Sequence, residues 1–311
     1  MGRFLFSLIS AFLLCQSAWG QVPSSVNVFV ADFADDKQRM LLEESISGLL
    51  SELNTSYVEE TLDVSSEGIT GVLEKIWKTS AFYIPDSILI VEASKTTSGA
   101  FEVRNIPAYF NNGEEEIYDE ITLEIDPDGT VSDFTISLPE HQYVELLSQS
   151  TTFIDEKRRK VILDFTEDFR TAYNTQNLDF IESVFSDQAL IIVGNVVKQD
   201  SESPLASQVE YLKFTKTEYI DRLKRVFRNN EFIDVTFENI DIIQHPKYDY
   251  MYGVNMEQYY ASSTYADEGY LFLLVDFSDV GNPLIHVRTW QPLQVIQEGG
   301  QFSLGDMNII L

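Results

Sequence analysis

Apolar residues recur every three or four positions in two segments of the first half of the chain, as they do on one face of an amphipathic helix. We predict a helix over residues 35–55 and a second one that starts near Ser66 and ends before Pro85. Short segments of alternating apolar and polar residues follow, and the last two flank the turn sequence Asp126-Pro127-Asp128-Gly129. The first half is therefore predicted to contain two helices and then a mostly antiparallel sheet, with strands at 87–93, 100–110, 120–125 and 130–138.

The second half begins after the polar run 148–152, which interrupts the apolar pattern and predicts a domain boundary near residue 150. A long helix is predicted at 155–173, a short one at 178–185 and a third at 217–228. Long β segments occupy the rest of this half, so that the order is α-α-β-α-β-β-β-β. The predicted strands are 189–197, 232–244, 250–262, 269–277 and 283–290.

This element order resembles the nuclear transport factor 2-like superfamily, the cystatin-like α+β cone. The residues that carry the resemblance are RRKVILDFTEDFRTAYNTQNLDFIESVFSDQALIIV, then DEGYLFLLVDF and NPLIHVRTWQP. The resemblance implies an α+β domain over 151–311, in which a curved antiparallel sheet and three helices form a cone with a concave pocket. It also implies a dimer made through the outer face of the sheet. The acidic α+β domain predicted at 21–150 is smaller, and its sequence resembles no family that we can name.

The first 20 residues have the layout of a secretory signal peptide: Arg3, an apolar run over 4–15, and small residues at Ala18 and Gly20. We expect cleavage after Gly20 and a periplasmic or secreted protein without a membrane-spanning segment, because the apolar run is shorter than the roughly 20 residues that span a bilayer. Lipidation at Cys15 is the weaker alternative, since the preceding residue of a lipoprotein signal is small and Leu14 is not.

Charge excludes one class of partner. The chain has 21 basic and 50 acidic residues, a net charge of −29, and loss of Arg3 with the leader makes it −30. Such a protein repels phosphate backbones, so we predict no nucleic-acid partner. The excess of acidic over basic residues is larger in the first half of the chain. This charge predicts either a surface that attracts cations and basic partners or only a contribution to solubility.

The sequence lacks the residues that several kinds of site require. Cys15 is the only cysteine, and the three histidines lie far apart in the sequence, so we predict no disulfide, no metal site and no cofactor. The sequence has no G-x-S-x-G, no phosphate-binding glycine loop and no H-E-x-x-H.

The candidate ligand site lies on the last predicted strand. His286, Arg288 and Trp290 alternate along it, so we expect all three on one face, where a guanidinium and an indole suit an anionic or aromatic ligand. The neighbouring strands contain many tyrosines, and we include one of them, Tyr259, among the predicted ligand-binding residues. The alternative is that this face turns to solvent or to a dimer partner and that the tyrosines are ordinary sheet residues.

The function predicted from these features is that of a non-catalytic extracytoplasmic protein that binds a small molecule or another protein. The alternative is an isomerase, dehydratase or cyclase with an acid/base residue inside the cone. Glu257 and Asp276 lie in strands where such a base would be found, but neither matches a family motif, and we assign no catalytic residue.

Overall fold

The structure is a computed structural model that describes residues 22–96, 98–113, 116–148, 154, 156–198 and 207–293. The predicted signal peptide and Cys15 lie outside the described residues, as does most of the polar run at the predicted domain boundary. Within the described ranges, none of the helices has the length and apolar character needed to cross a membrane.

The described residues of the N-terminal half form two helices and seven strands. Five of the strands form a sheet in the order β2-β5-β6-β7 with β4 also paired to β5, all antiparallel, while β1 and β3 form a separate parallel pair. The predicted helices and antiparallel sheet are confirmed. The elements are β1 (Asn27–Val30), α1 (Asp36–Val58), α2 (Thr70–Thr79), β2 (Ala81–Tyr83), β3 (Ile88–Val91), β4 (Ala93–Lys95), β5 (Phe101–Asn111), β6 (Glu116–Ile125) and β7 (Val131–Ile136).

Helix α1 packs along the free edge of β1. Asp35 caps the helix, and the predicted leucine and isoleucine stripe is buried beneath it. Side chains one turn apart on α1 accept hydrogen bonds from alternate backbone N–H groups of the strand. Four helical residues rise about 6 Å and two strand residues about 6.6 Å, so the two repeats match. The pairs are Val26 N to Ser51 Oγ at 2.9 Å, Val28 N to Ser47 Oγ at 2.9 Å, and Val30 N to Glu43 Oε1 at 3.0 Å.

The C-terminal half is a six-stranded curled sheet with four helices in the described residues before and between its strands. The strand order is β10-β11-β12-β13-β8-β9, and every neighbouring pair is antiparallel except β13 and β8. The predicted α+β fold class is confirmed. The elements are α3 (Glu140–Ser148), α4 (Glu156–Asn174), α5 (Leu178–Ser183), β8 (Phe185–Lys198), β9 (Ser207–Phe214), α6 (Lys216–Asn229), β10 (Ile233–Gln244), β11 (Met251–Ser262), β12 (Ala266–Asp276) and β13 (Leu284–Pro292).

Strand β9 was not expected, because its residues follow a polar stretch that predicts a loop. It pairs only with β8 and forms one edge of the sheet. An edge strand has a weaker apolar alternation than a central one, because much of its surface stays in water. This explains why the sequence pattern did not indicate it.

Two hydrophobic cores meet where β7 leads into α3. The first core extends along the chain from Val26 to Ile136, and the second begins at Leu138 and includes Tyr143 and Leu146 of α3. Helix α3 therefore packs with the C-terminal core. The domain boundary near residue 150 stays a prediction.

One buried side chain joins the two halves. Arg170 of α4 is 1% exposed and forms an ion pair with Asp119 of β6. Its Nη1 donates to the Ser137 carbonyl at 2.7 Å, and its Nε donates to the Val235 carbonyl of β10 at 2.7 Å. Helix α4 is thus bonded to both sheets.

Candidate functional site

The two faces of the C-terminal sheet have different surroundings. On β12, Leu271 and Leu273 belong to the core formed with the helices, and we call this the inner face. Phe272 and Leu274 belong to a small cluster on the opposite side, the outer face. Successive residues of a strand alternate between these faces, so pairing with β12 assigns the residues of β13.

Arg288 and Trp290 lie on the inner face, as predicted. Arg288 pairs with Leu273, and Trp290 pairs with Leu271. Both side chains are buried. The structure therefore brings these two predicted site residues together inside the cone.

The prediction that His286 shares this face is wrong. The pairing of β13 with both neighbours shifts between Ile285 and Val287, so His286 is the extra residue of a β-bulge. Its Nε2 lies 3.8 Å from Oδ2 of Asp276, which is paired with Met251 of the outer-face cluster. The bulge breaks the alternation on which the prediction depended.

Arg288 is surrounded by aromatic residues from the helices. Its guanidinium carbon lies 5.2 Å from the ring centroid of Tyr219 on α6, a cation–π distance. The hydroxyl of Tyr219 is hydrogen-bonded to the hydroxyl of Tyr173 on α4. Burial, together with Tyr219, raises the pKa of Tyr173 well above its usual range. The phenol of Tyr173 is therefore a neutral group near the cation.

The guanidinium of Arg288 is buried with unused donors. Its side chain is 6% exposed, and its Nε and Nη1 atoms have no hydrogen-bond partner among the described residues. Burial lowers the pKa of Arg288, but Tyr219, Tyr173 and Asp267 raise it by more, so the group stays charged. A buried donor without an acceptor costs about 1–3 kcal/mol, and more when it is charged. The buried cation, which is hydrogen-bonded to Tyr173, therefore keeps two donors without an acceptor among the described residues.

The indole of Trp290 forms the neighbouring part of the inner face. A β-carbon on Gly269 would lie 2.9 Å from the indole atoms Cε2 and Cζ2, so the ring occupies space that glycine leaves free. The indole Nε1 has no partner among the described residues either. The inner face thus offers an aromatic surface with a third donor that has no partner among the described residues.

A carboxylate lies on the inner face of the same sheet. Asp267 on β12 pairs with Tyr260, whose ring packs against the inner-face core. Burial raises the pKa of Asp267, while a hydrogen bond from Tyr265 and the charge of Arg288 lower it by less. Asp267 is therefore the internal acid whose charge acts on Arg288.

Three other candidates of the sequence analysis lie on the outer face. Tyr259 alternates with Tyr260 and is 39% exposed, and burial with nearby glutamates raises its pKa. Glu257 accepts hydrogen bonds from Tyr270 at 2.9 Å and from Asn239 at 2.7 Å. Asp276 is the partner of His286. Glu257 and Asp276, to which we assign no catalytic role, therefore lie outside the cone, and a dimer through the outer face stays a prediction.

Sequence reasoning missed a second concave region. A cleft of about 770 Å³ lies between the N-terminal sheet and α4. Its walls come from residues far apart in the sequence, so no local motif indicates it. One signal was available: Glu167 and Arg170 interrupt the apolar face of α4 and are nevertheless buried. Among the residues that the structure describes, no group of three or more histidine, cysteine, aspartate or glutamate side chains could hold a metal ion.

Comparison with protein families identifies the C-terminal region as NTF2-like. Residues 208–281 match the model of the Cds6 C-terminal NTF2-like domain. These residues extend from β9 to the loop after β12 and include Tyr219 and Asp267 but not Arg288. The resemblance to the nuclear transport factor 2-like superfamily is thereby confirmed for this region. No curated protein matches the sequence.

Solved structures with a similar fold have low sequence identity to this chain. One is Bd1075 of Bdellovibrio bacteriovorus, with 20% identity and a TM-score of 0.35 over 44% of this chain and 41% of that chain, less than two thirds of its length. An NTF2-like protein from Cytophaga hutchinsonii has 13% identity and a TM-score of 0.30 over 44% of this chain and 98% of its own. Naphthalene 1,2-dioxygenase with indole bound in its active site has 7% identity and a TM-score of 0.34 over 50% of this chain and 88% of its own.

Proposed function

We propose that this protein, whose C-terminal region is NTF2-like, is an extracytoplasmic non-catalytic binding protein that holds an anionic ligand at Arg288. The observation that carries the proposal is the pair of unpaired nitrogens on a buried, charged guanidinium. A carboxylate oxygen would accept a hydrogen bond from one of these nitrogens and reduce the cost of burying the cation. The anion would compete with Asp267 for the charge of Arg288.

The chemistry around Arg288 favours a carboxylate on an apolar or aromatic body. Trp290 and the ring of Tyr219 supply flat apolar surface next to the cation. A compact inorganic anion would satisfy Arg288 but leave these surfaces without a partner. We therefore expect aromatic carboxylates to bind more tightly than phosphate or acetate.

The extracytoplasmic location is supported by the signal-peptide pattern of the first 20 residues. Mass spectrometry of protein recovered from the cell envelope or the medium would find Gln21 as the first residue, without a lipid. Protein that retains the leader, or that carries an acyl chain on Cys15, would contradict this part of the proposal.

Thermal shift with a matched pair of probes tests the binding site. Benzoate and its uncharged analogue benzamide have the same ring, so only an anion site distinguishes them. We expect millimolar benzoate to raise the melting temperature of the wild type, because a ligand that binds only the folded state stabilises it, and benzamide to leave it unchanged. In Arg288→Met the response to benzoate should disappear.

The control is Arg222→Met on α6, which removes an exposed arginine that lies over the ring of Phe214 at 4.3 Å. This variant should respond to benzoate as the wild type does. Arg288→Met should itself fold with little loss of stability, since an apolar chain of similar length replaces a cation with unpaired donors. An equal benzoate response in Arg288→Met, or none in the wild type, would overturn the anion site.

A second function, as an isomerase, dehydratase or cyclase, is favoured by one observation. Asp267 is a desolvated carboxylate with a raised pKa, bonded to Tyr265 and on the same inner face as Arg288. A general base needs a pKa near the working pH and a position beside the bound substrate. Its position on the inner face points to Asp267 rather than to Glu257 or Asp276, which lie on the outer face.

Proton exchange distinguishes the enzyme from the binding protein. A base at Asp267 would exchange the C–H proton next to the carbonyl of a bound 2-oxo acid with deuterium from D₂O. We expect nuclear magnetic resonance to show no more exchange with wild-type protein than with Asp267→Asn. Faster exchange with the wild type would favour the enzyme.

A further inference from the structure

The cleft between the two halves is held together by paired charges at one end. Lys160 Nζ on α4 lies 2.8 Å from Glu102 Oε2 on β5 and 3.1 Å from Asp164 Oδ1 on its own helix. Arg104 of β5 forms an ion pair with Glu167 of α4 and lies 3.8 Å from Glu102 Oε2. These contacts attach α4 to the N-terminal sheet.

The cleft nevertheless has more acids than bases. Seven acidic and four basic residues line it. Two of the bases, Arg104 and Lys160, are used in the ion pairs, while Lys95 on β4 and Lys157 on α4 complete the four. Two of the three excess negative charges are therefore in the part of the cleft that the ion pairs do not reach.

Asp168 lies in that part, one helical turn after Asp164. The charges that act on it most strongly are all carboxylates: Asp133 of β7, Asp164 and Glu167 of its own helix, and Glu124 of β6. Neither Lys95 nor Lys157 is among them. Burial, followed by these four charges, raises the pKa of Asp168 to about 8. Burial also raises the pKa of Asp133 on the facing strand.

We propose that this cleft is a pH-dependent contact between the two halves of the protein. We call this contact the joint; it is closed when Asp168 is protonated and opens when Asp168 ionises. Helix α4 lies against β7 while Asp168 carries a proton. When that proton passes to water, the new carboxylate faces Asp133 and Glu124 across the cleft, and repulsion together with the demand for hydration separates α4 from β7, against the ion pairs that Arg104 and Arg170 form between α4 and the sheet. This inference is independent of the proposed ligand site, since it involves neither Arg288 nor the inner face.

The direction of the pH effect follows from proton linkage. A carboxyl whose pKa is higher in the closed joint than in water binds its proton more tightly when the joint is closed. Closure is therefore favoured in full below the ordinary carboxyl pKa, near 4, and this advantage is lost as the pH rises to about 8. Each opening releases up to one proton, so the equilibrium constant for opening rises by up to about tenfold per pH unit in this range.

Two backbone amides report on the joint directly. The N–H of Ile136 donates to Thr171 Oγ1 at 2.9 Å, and the N–H of Leu138 donates to Glu167 Oε1 at 2.6 Å. Both acceptors are side chains of α4, so these amides exchange with solvent when α4 departs. Their protection from hydrogen exchange, corrected for the intrinsic effect of pH, measures opening.

The test is native-state hydrogen exchange from about pH 5 to about pH 9 on the full protein and two variants. In the wild type, we expect the protection of Ile136 and Leu138 to fall by tenfold or more across the range. Asp168→Asn, which cannot ionise, should keep constant protection. Glu156→Gln removes an exposed acid of the same helix that also lines the cleft and should behave as the wild type.

Constant protection in the wild type, or the same pH dependence in Asp168→Asn, would overturn the proposal. If circular dichroism shows that Asp168→Asn does not fold, the same hydrogen-exchange measurement on Asp133→Asn tests the proposal instead. Removal of the facing charge should reduce the loss of protection at high pH, because it lowers the pKa of Asp168 and removes part of the repulsion. An unchanged loss of protection in that variant would also overturn the joint.

Discussion

The indole of Trp290 lies against Gly269 on the neighbouring strand, where a β-carbon would come within 2.9 Å of two ring atoms. That β-carbon would be even closer to the carbonyl oxygen of Gln291. Glycine is therefore needed here for the close approach of β12 and β13. Because the indole borders Arg288, this contact helps to shape the candidate site.

Gly269→Ala should lower the free energy of unfolding by about 1–3 kcal/mol, the usual cost of forcing an extra methyl group into a packed region. Urea denaturation measures the change. Gly48→Ala on α1 is the control, since nothing lies within 4 Å of a β-carbon there. Alanine in that helix should raise stability by about 0.5–1 kcal/mol. Equal stability of Gly269→Ala and wild type would contradict the close contact.

Arg170→Met should be among the most damaging single replacements in the protein. It leaves Asp119 without its cation and removes the donors that Arg170 gives to the Ser137 and Val235 carbonyls, and loss of one partner of a buried ion pair typically costs about 3–5 kcal/mol. Arg39→Met removes a more exposed arginine paired with Asp36 and should cost much less than Arg170→Met. The two variants are compared by chemical denaturation.

Adding Asp119→Leu to Arg170→Met should restore part of the lost stability, because the carboxylate is then no longer buried alone. A double variant that is less stable than Arg170→Met would show that the unpaired acid is not the cause of the damage.

Binding of an anion at Arg288 should depend on the ionisation of Asp267. Burial raises the pKa of this acid, so acidification neutralises it sooner than an ordinary aspartate and leaves Arg288 free for the ligand. We expect the affinity for benzoate to rise as the pH falls through that pKa, measured by calorimetry. Asp267→Asn should bind more tightly at neutral pH and lose the dependence. An identical pH profile in both proteins would remove Asp267 from the site.

The predicted domain boundary can be tested by limited proteolysis. Cleavage should yield a C-terminal fragment that begins between about residues 145 and 158, since exposed segments are cut first. The two fragments should remain together in gel filtration, because α3 packs in the C-terminal core and Arg170 joins both halves. Cleavage confined to the strands would contradict the boundary.

The features that could be predicted from the sequence are those that depend on the local spacing of apolar residues. The helices, most strands and the inner position of Arg288 and Trp290 follow from apolar spacing and alternation. The position of His286 could not be predicted, because the bulge is defined by pairing with β8 and β12 rather than by β13 alone. The cleft and the role of Asp168 depend on residues that only the packing of two sheets and one helix brings together.

The contact between α1 and β1 has a consequence for self-association. A strand edge with free N–H groups is a template on which another chain can add its own strand, and long exposed edges promote aggregation. In this protein, Ser47, Ser51 and Glu43 already accept those N–H groups, so the helix stands where a foreign strand would dock. The free edge of the β1–β3 pair is thereby protected against pairing with a strand of another molecule. The protection comes from hydroxyl and carboxylate oxygens of a helix rather than from a further strand.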